Sequence, residues 1–230
     1  LFEADGMGGV GLNNGCAASK ALLAAAKAAH HASGASGMGI MGAPPKIDFA
    51  KVKSHVAAVI DEIAPHDSIE RFEALGVTVV SEHAAFSGSY EVVSKNHTVR
   101  AKYFVIASGS QPNIPPIDGI LDVDFYTSET IFADPVKPDH LVIIGGGPIG
   151  IEMAQAHVRL GIGVTVIEAF SIMARDDSEL VAILKTQLES DGVTFFEGVS
   201  VVSVRQNKPR DITLTLTSGK TIHASHLLIA

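Results

Sequence analysis

A glycine-rich turn lies between two short apolar runs, within the stretch from His140 to Glu168. Leu141–Ile144 is an uncharged apolar run, which is typical of a parallel strand buried on both faces. The next residues, GGGPIG at 145–150, fit the pattern G-x-G-x-x-G. A largely apolar helical pattern and a second apolar run, Val164–Ile167, then lead to Glu168. This strand–turn–helix–strand order predicts a dinucleotide-binding unit of an α/β protein.

The residues of this turn have separate physical roles in binding a dinucleotide. Gly145 permits a tight turn, Gly147 leaves space for a pyrophosphate, and Gly150 lets the helix pack closely on the sheet. The helix N-terminus offers unpaired N–H groups to the phosphates. Glu168 can accept hydrogen bonds from a ribose 2′-OH and would repel a 2′-phosphate, which favours NAD(H) over NADP(H). The predicted NAD(H) contacts are Gly145, Gly147, Pro148, Ile149, Gly150 and Glu168.

Composition limits the other classes of function. The 230 residues, 47% of them hydrophobic and 18% charged, allow one large or two ordinary domains with a substantial core. A net charge of −8 argues against binding to nucleic acid or an anionic membrane. The single cysteine excludes a disulfide framework and predicts a reducing, cytoplasmic environment. The ten histidines show no ligand-like spacing, so no metal site is predicted.

The remaining pattern predicts helices and strands on both sides of this turn. We place a domain boundary near Asp134, which gives domains 1–134 and 135–230. A loop is predicted from Ser33 to Lys46. The predicted helices are Cys16–Ala32, Phe49–Ile63 with Asp48 as its cap, a short helix from Asp67 or Ser68 to Leu75, and Ser178–Asp191 with Asp176 or Asp177 as its cap. The predicted strands are Val77–Val80, Tyr90–Val93 and Thr98–Arg100, which look antiparallel, and then Lys102–Ala107, Val193–Phe196, Ser200–Gln206, Ile212–Leu216, Thr221–Ile222 and Leu227–Ala230.

An internal repeat suggests that the chain contains two units of one design. Residues 98–107 match residues 221–230, with four identical positions. Leu1–Ala4 likewise resembles Val166–Ala169, which puts Glu3 in the place of Glu168. Two buried strands can look alike by chance, but the order and spacing in both units favour duplication. If so, about one strand, glycine turn and helix are expected upstream of Leu1.

Together these features resemble the flavoprotein pyridine nucleotide-disulphide oxidoreductases, above all the mercuric reductase-like and dihydrolipoamide dehydrogenase-like members. Residues 8–23, GGVGLNNGCAASKALL, are similar to that family's redox motif, G-G-x-C-x-N-x-G-C-x-P-S-K-x-L. Residues 106–112 resemble its A-T-G-S-x-P segment, and residues 145–152 resemble its G-G-G-x-I-G-x-E motif. The resemblance implies an α/β fold with two Rossmann-like domains, in which an NAD(H) domain follows an incomplete FAD domain.

The resemblance also implies roles for individual residues. Glu3 would bind the adenosine ribose of FAD, and Gly8 and Gly9 would approach its pyrophosphate. Lys20 would lie near the flavin N5, beside Ser19, and form a buried ion pair across the two domains. That pair would place positive charge where the reduced flavin gains electron density. The implied FAD contacts also include Ala107, Ser108 and Gly109, and the implied catalytic residues are Cys16, Lys20 and Glu152.

Three positions depart from the family pattern. The first redox cysteine is replaced by Gly11, the proline before the serine by Ala18, and the threonine of A-T-G by Ser108. With Cys16 as the only thiol, no intrachain disulfide can form, so disulfide reductase chemistry is not expected. Reduction of a quinone, dye or oxygen through the flavin remains possible, with Cys16 as a thiolate beside the ring.

The family pattern continues beyond these residues. A later G-D motif and a dimerisation domain with a His–Glu pair have no counterpart here, so the sequence predicts a fragment or part of a longer, homodimeric protein. We expect its partner to be a small-molecule or protein electron acceptor, with no nucleic acid or membrane involved. The alternative hypothesis is a non-catalytic dinucleotide-binding module.

Overall fold

The computed structural model describes residues 1–34, 39, 43 and 45–230. Within these ranges the chain forms six α-helices and ten β-strands. The helices are α1 (Gly9–Asn13), α2 (Cys16–Gly34), α3 (Phe49–Ile63), α4 (Ile69–Ala74), α5 (Pro148–Arg159) and α6 (Ser178–Asp191). The strands are β1 (Ala85–Gly88), β2 (Glu91–Val93), β3 (Thr98–Arg100), β4 (His140–Ile144), β5 (Gly163–Glu168), β6 (Val193–Glu197), β7 (Val201–Lys208), β8 (Asp211–Leu216), β9 (Thr221–Ala224) and β10 (His226–Ile229).

A four-stranded parallel sheet with the order β10-β4-β5-β6 forms the centre of the second unit. Its central strand β4 is buried on both faces, as the uncharged run predicts. Leu141 and Ile143 belong to the core shared with the helices, whereas Val142 belongs to a second core beneath β7–β9. Adjacent residues therefore point to opposite faces, and both faces are covered. The α/β fold class is confirmed.

An antiparallel sheet, β7-β8-β9, covers the second face of the parallel sheet. Ile212, Leu214 and Leu216 are buried and alternate along β8 with less buried residues. A strand was predicted at Ile212–Leu216, and the structure shows that one of its faces points to the core, as the period of two indicates. Ile120 and Val123, which precede the predicted boundary near Asp134, also pack in this core. The domain boundary itself remains a prediction.

Helix α2 packs against α3 of its own unit and against α5 of the second unit, and the contact with α5 joins the two units. Ala18, Ala21 and Ala26 of α2 are buried in the same core as Ala154 and Ala156 of α5. These small side chains let the helix backbones approach closely. The two units are therefore joined by a packed helical layer.

Side-chain caps fix the starts of three helices. The side chain of Asp48 accepts a hydrogen bond from the Lys51 N–H at the start of α3, as predicted. Two residues had been possible at the start of each of two other helices. The structure shows that the N-cap is Ser68 in α4 and Asp177 in α6.

The internal repeat is visible in the hydrogen bonding of the first unit. Phe2 pairs in parallel with Val80, in the way that β5 pairs with β6. The Glu3 carboxylate accepts a hydrogen bond at 3.0 Å from the backbone N–H two residues later, and the Glu168 carboxylate does the same at 3.0 Å. The antiparallel sheet β1-β2-β3 corresponds to β7-β8-β9. These shared details support duplication over chance similarity.

The strand predicted at Lys102–Ala107 is wrong. Tyr103, Val105 and Ile106 are 80%, 93% and 75% exposed, and the segment has no strand structure. Its counterpart in the repeat, β10, is held by parallel pairing with β4. In the part of the chain that the structure describes, no strand pairs with residues 102–107 in this way.

Smaller differences concern strand pairing and element ends. The strand predicted at Val77–Val80 is reduced to a bridge at Val80, and this bridge is parallel rather than antiparallel. Helix α2 continues to Gly34, two residues past its predicted end, and β1 was not predicted. The loop predicted from Ser33 to Lys46 falls largely on 35–38, 40–42 and 44, which lie outside the described residues.

A buried polar group lies where α3 meets α5. The Lys53 Nζ of α3 donates a hydrogen bond of 2.5 Å to the Ile131 carbonyl, and burial lowers the pKa of Lys53 to about 8. His157 of α5 packs against Phe49 and donates through Nδ1 to the Met153 carbonyl at 2.8 Å. Burial, with the nearby charge of Lys53, lowers the pKa of His157 to about 4.

His157 should make the fold sensitive to acid. The unfolded chain binds a proton at His157 below its ordinary pKa of 6.5, whereas the folded chain does so only near pH 4. Stability should therefore fall by about 3 kcal/mol as the pH drops from 6.5 to 4. Replacing His157 by Gln, which keeps an N–H donor, should remove this part of the loss in urea unfolding curves. The exposed His66→Gln serves as control, and equal pH slopes for wild type and His157→Gln would contradict the assignment.

Candidate functional site

The N-terminal parts of α2 and α5 converge, and an ion pair joins the two units there. Lys20 of α2 and Glu152 of α5 are 132 residues apart in sequence, yet Nζ lies 2.5 Å from Oε1. The Lys20 Nζ also lies 3.4 Å from the hydroxyl of Ser19. The packing of α2 on α5 fixes this approach.

The ion pair lies at a cavity of about 270 Å³ between the units. The cavity is lined by Cys16, Ser19 and Lys20 from one side and by Ile149 and Glu152 from the other. The pair was predicted to be buried, and this is wrong: the Lys20 and Glu152 side chains are 59% and 34% exposed. Both side chains open onto the cavity, where a bound ring system would cover them.

A second cavity, of about 840 Å³, contains most of the residues assigned to FAD. Glu3, Gly9 and the segment Ala107–Gly109 line it together, although more than 90 residues separate them in sequence. It shares Val10 and Asn14 with the smaller cavity, so the two form a continuous groove. Gly8 is outside the lining residues: it is the N-cap of α1 with a φ of 86°, and a Cβ there would collide with the Leu12 side chain.

The glycine turn between β4 and α5 is closely packed at its two ends and open in the middle. Gly145 has a φ of 117°, and a Cβ there would collide with the Ala230 carbonyl oxygen. A Cβ on Gly150 would collide with the Gly145 carbonyl oxygen. A Cβ on Gly147 would meet no atom within 4 Å. The geometry thus leaves open space beside Gly147, next to the N-terminus of α5.

Glu168 lies at the carboxyl end of β5, beside this turn. Its Oε2 accepts a hydrogen bond from the Gly146 N–H at 2.7 Å, and its Oε1 accepts one from the Phe170 N–H at 3.0 Å. Each oxygen keeps a lone pair for a ribose hydroxyl. The carboxylate faces a cavity of about 480 Å³ at the ends of β4, β5 and β10, where α/β sheets bind ligands.

Other site residues had no clear signal in the sequence. Ser128 and Phe132 line the Lys20 cavity from the segment that joins the units, and no local pattern marks them. Phe170 lines the Glu168 cavity. Its position two residues after Glu168 was the one sequence feature from which a place at this site could have been predicted. Among the described residues, no group of three or more His, Cys, Asp or Glu side chains is placed to hold a metal. No helix in the described ranges has the length and apolar character needed to cross a membrane.

Comparisons with known proteins show which family this chain resembles. Residues 1–230 match the family model described as pyridine nucleotide-disulphide oxidoreductase. A mercuric reductase of Streptomyces lividans is 35% identical over 239 residues, which cover 100% of this chain and 50% of the relative. A dihydrolipoyl dehydrogenase of Thermus scotoductus is 33% identical over 209 residues, which cover 90% of this chain and 44% of the relative.

The fold is also that of a solved structure. The HOCl-induced flavoprotein disulfide reductase RclA from Escherichia coli matches with a TM-score of 0.83 at 23% identity, over 100% of this chain and 50% of its own. The chain spans about half the length of the curated relatives it matches. With the family model matched from end to end, the chain belongs to the pyridine nucleotide-disulphide oxidoreductase family.

Proposed function

We propose that this protein is an FAD-dependent oxidoreductase that takes hydride from NADH and passes electrons to an acceptor other than a protein disulfide. The observation that carries the proposal is the Lys20–Glu152 ion pair, which joins the two units at a ring-sized cavity beside Cys16. An ion pair this exposed adds little to stability, typically about 0–1 kcal/mol. Its position at the cavity therefore points to chemistry rather than to folding.

The continuous groove fits an extended dinucleotide with a ring system at one end. Glu3 would hold the adenosine ribose of FAD, and Gly9 and residues 107–109 would line the path towards Lys20. The turn at Gly147 and the carboxylate of Glu168 would hold NADH from the other unit. When bound, FAD supplies a hydride acceptor and NADH supplies the hydride.

Lys20 and Glu152 have distinct tasks in this scheme. The ammonium group of Lys20 places a positive charge at the cavity, where negative charge develops during reduction. The Glu152 carboxylate holds the ammonium group in position through the 2.5 Å contact. Ile149 and Phe132 supply apolar surface that keeps water from the reacting atoms.

The number of cysteines guides our choice of electron acceptor. Gly11 stands where the family pattern has its first redox cysteine, and Cys16 is the only thiol of the chain. A thiol without a partner in the chain cannot close an intrachain disulfide. We therefore favour a quinone, a dye or oxygen as acceptor, with electrons leaving directly from the reduced cofactor.

The experiment is to measure the FAD content of the purified full-length protein and its NADH-dependent reduction of a quinone or dye. We expect one FAD per chain, and we expect Cys16→Ser to keep at least half of the activity. A colourless protein that binds NADH without FAD would overturn the proposal in favour of a non-catalytic module. Loss of all dye reduction in Cys16→Ser would overturn the proposed route to the acceptor.

Glu168 should make the protein prefer NADH to NADPH. A 2′-phosphate would face the Glu168 carboxylate, whose oxygens already accept hydrogen bonds from Gly146 and Phe170. We expect kcat/KM to be at least about tenfold higher for NADH, with Glu168→Gln narrowing the ratio because it removes the negative charge. Steady-state kinetics with both nucleotides measure the ratio, and Glu179→Gln on α6 is the matched control. A tenfold preference for NADPH would show that the assignment is wrong.

A further inference from the structure

Phe170 is an exposed aromatic residue on a fixed backbone. Its side chain lies at the Glu168 cavity, and the residue is 78% exposed. Its N–H donates to the Glu168 carboxylate at 3.0 Å, and its carbonyl oxygen accepts from the Gly198 N–H at 2.8 Å. An apolar ring held in the open by two backbone hydrogen bonds offers a surface to a ligand without a large ordering cost.

The position of the ring fits one part of a dinucleotide. The ribose carries the pyrophosphate at one end and the adenine at the other. With the pyrophosphate at the start of α5 and the ribose on Glu168, the adenine extends to the cavity wall beyond Glu168. Phe170 and Val199 both line this cavity, and backbone hydrogen bonds tie the 198–199 segment to Phe170 and Glu168.

We propose that Phe170 is the residue on which the adenine of NADH stacks, next to the apolar side chain of Val199. This inference rests on the proposed function, because it assigns a residue within the NADH site. Stacking between a base and an aromatic ring tolerates any planar base and is lost when the ring is removed. Phe170 would then strengthen binding of the adenosine half and leave the nicotinamide half unaffected.

The first test compares NADH with reduced nicotinamide mononucleotide, which lacks the adenosine half, by isothermal titration. Phe170→Ala should weaken NADH binding about 5- to 150-fold and leave binding of the mononucleotide unchanged. Phe170→Tyr, which keeps the ring, should bind NADH within about twofold of wild type. The exposed Tyr90→Ala, distant in sequence and outside this cavity, is the control.

The second test uses the absence of tryptophan from the chain. Phe170→Trp introduces a single indole at the site, and ADP-ribose, which has no nicotinamide, should quench its fluorescence on binding. No quenching at saturating ADP-ribose would overturn the inference.

The outcomes separate the two proposals. If wild type binds no NADH, the proposed function fails. Suppose instead that wild type binds NADH. If Phe170→Ala binds NADH equally well, or if its affinities for NADH and for the mononucleotide fall by the same factor, the stacking role fails and the proposed function stands.

Discussion

Replacing Lys20 by Met should slow reduction of the bound flavin by NADH about 100- to 1000-fold, the usual effect of removing one electrostatic group from a reaction centre. The charge of Lys20 lies at the cavity between the units, where it can stabilise the developing negative charge. Because the side chain is 59% exposed, its loss should leave the free energy of unfolding within about 1 kcal/mol of wild type.

Anaerobic stopped-flow absorbance measures this rate directly. Lys27→Met, on the same helix and also exposed, is the matched control and should react as wild type does. Glu152→Gln should slow the reaction less than Lys20→Met, since the positive charge remains but loses its orienting partner. If Lys20→Met were reduced as fast as Lys27→Met, the role assigned to the ion pair would be wrong.

Alanine substitutions in the glycine turn should separate binding from folding. At Gly147 the backbone φ is −74° and a Cβ meets no atom within 4 Å, so Gly147→Ala should fold normally. The new methyl group would occupy the space left for the pyrophosphate, and NADH affinity should fall on the order of 100-fold.

At Gly150 a Cβ collides with the Gly145 carbonyl oxygen, so Gly150→Ala should lose about 3 kcal/mol or more of stability.

Urea unfolding and NADH titration of both variants test this pair of predictions. Gly34→Ala, at the end of α2 with no atom within 4 Å of the added Cβ, reports the effect of a methyl group on a helical glycine without a collision. Tight NADH binding by Gly147→Ala would contradict the location of the pyrophosphate. A fully stable Gly150→Ala would contradict the close packing of α5 on the sheet.

Short sequence patterns correctly predicted the strands and helices that depend mainly on residues close together in the sequence. The uncharged run at Leu141–Ile144 became a strand buried on both faces, and the alternation in β8 placed one face in a core. Asp48 at the start of α3 could be identified because a cap satisfies N–H groups within its own turn. In each case the cause and the effect lie within a few residues of each other.

Features that depend on distant partners were harder to predict. Residues 102–107 have the composition of a buried strand, yet strand structure requires a neighbour to pair with, which their own sequence does not specify. The Lys20–Glu152 contact joins residues 132 positions apart, and only the family resemblance suggested it. Its exposure was missed because it depends on the cavity formed where α2 meets α5.

Hydride transfer between the two units can be tested by an anaerobic titration of the purified, FAD-containing protein with NADH, followed at the visible absorption band of the flavin. If Lys20 and Glu152 mark the path of the hydride, one equivalent of NADH should bleach the band, and reoxidation by a quinone should restore it. A band that stays unchanged while NADH binds would contradict hydride transfer between the two units.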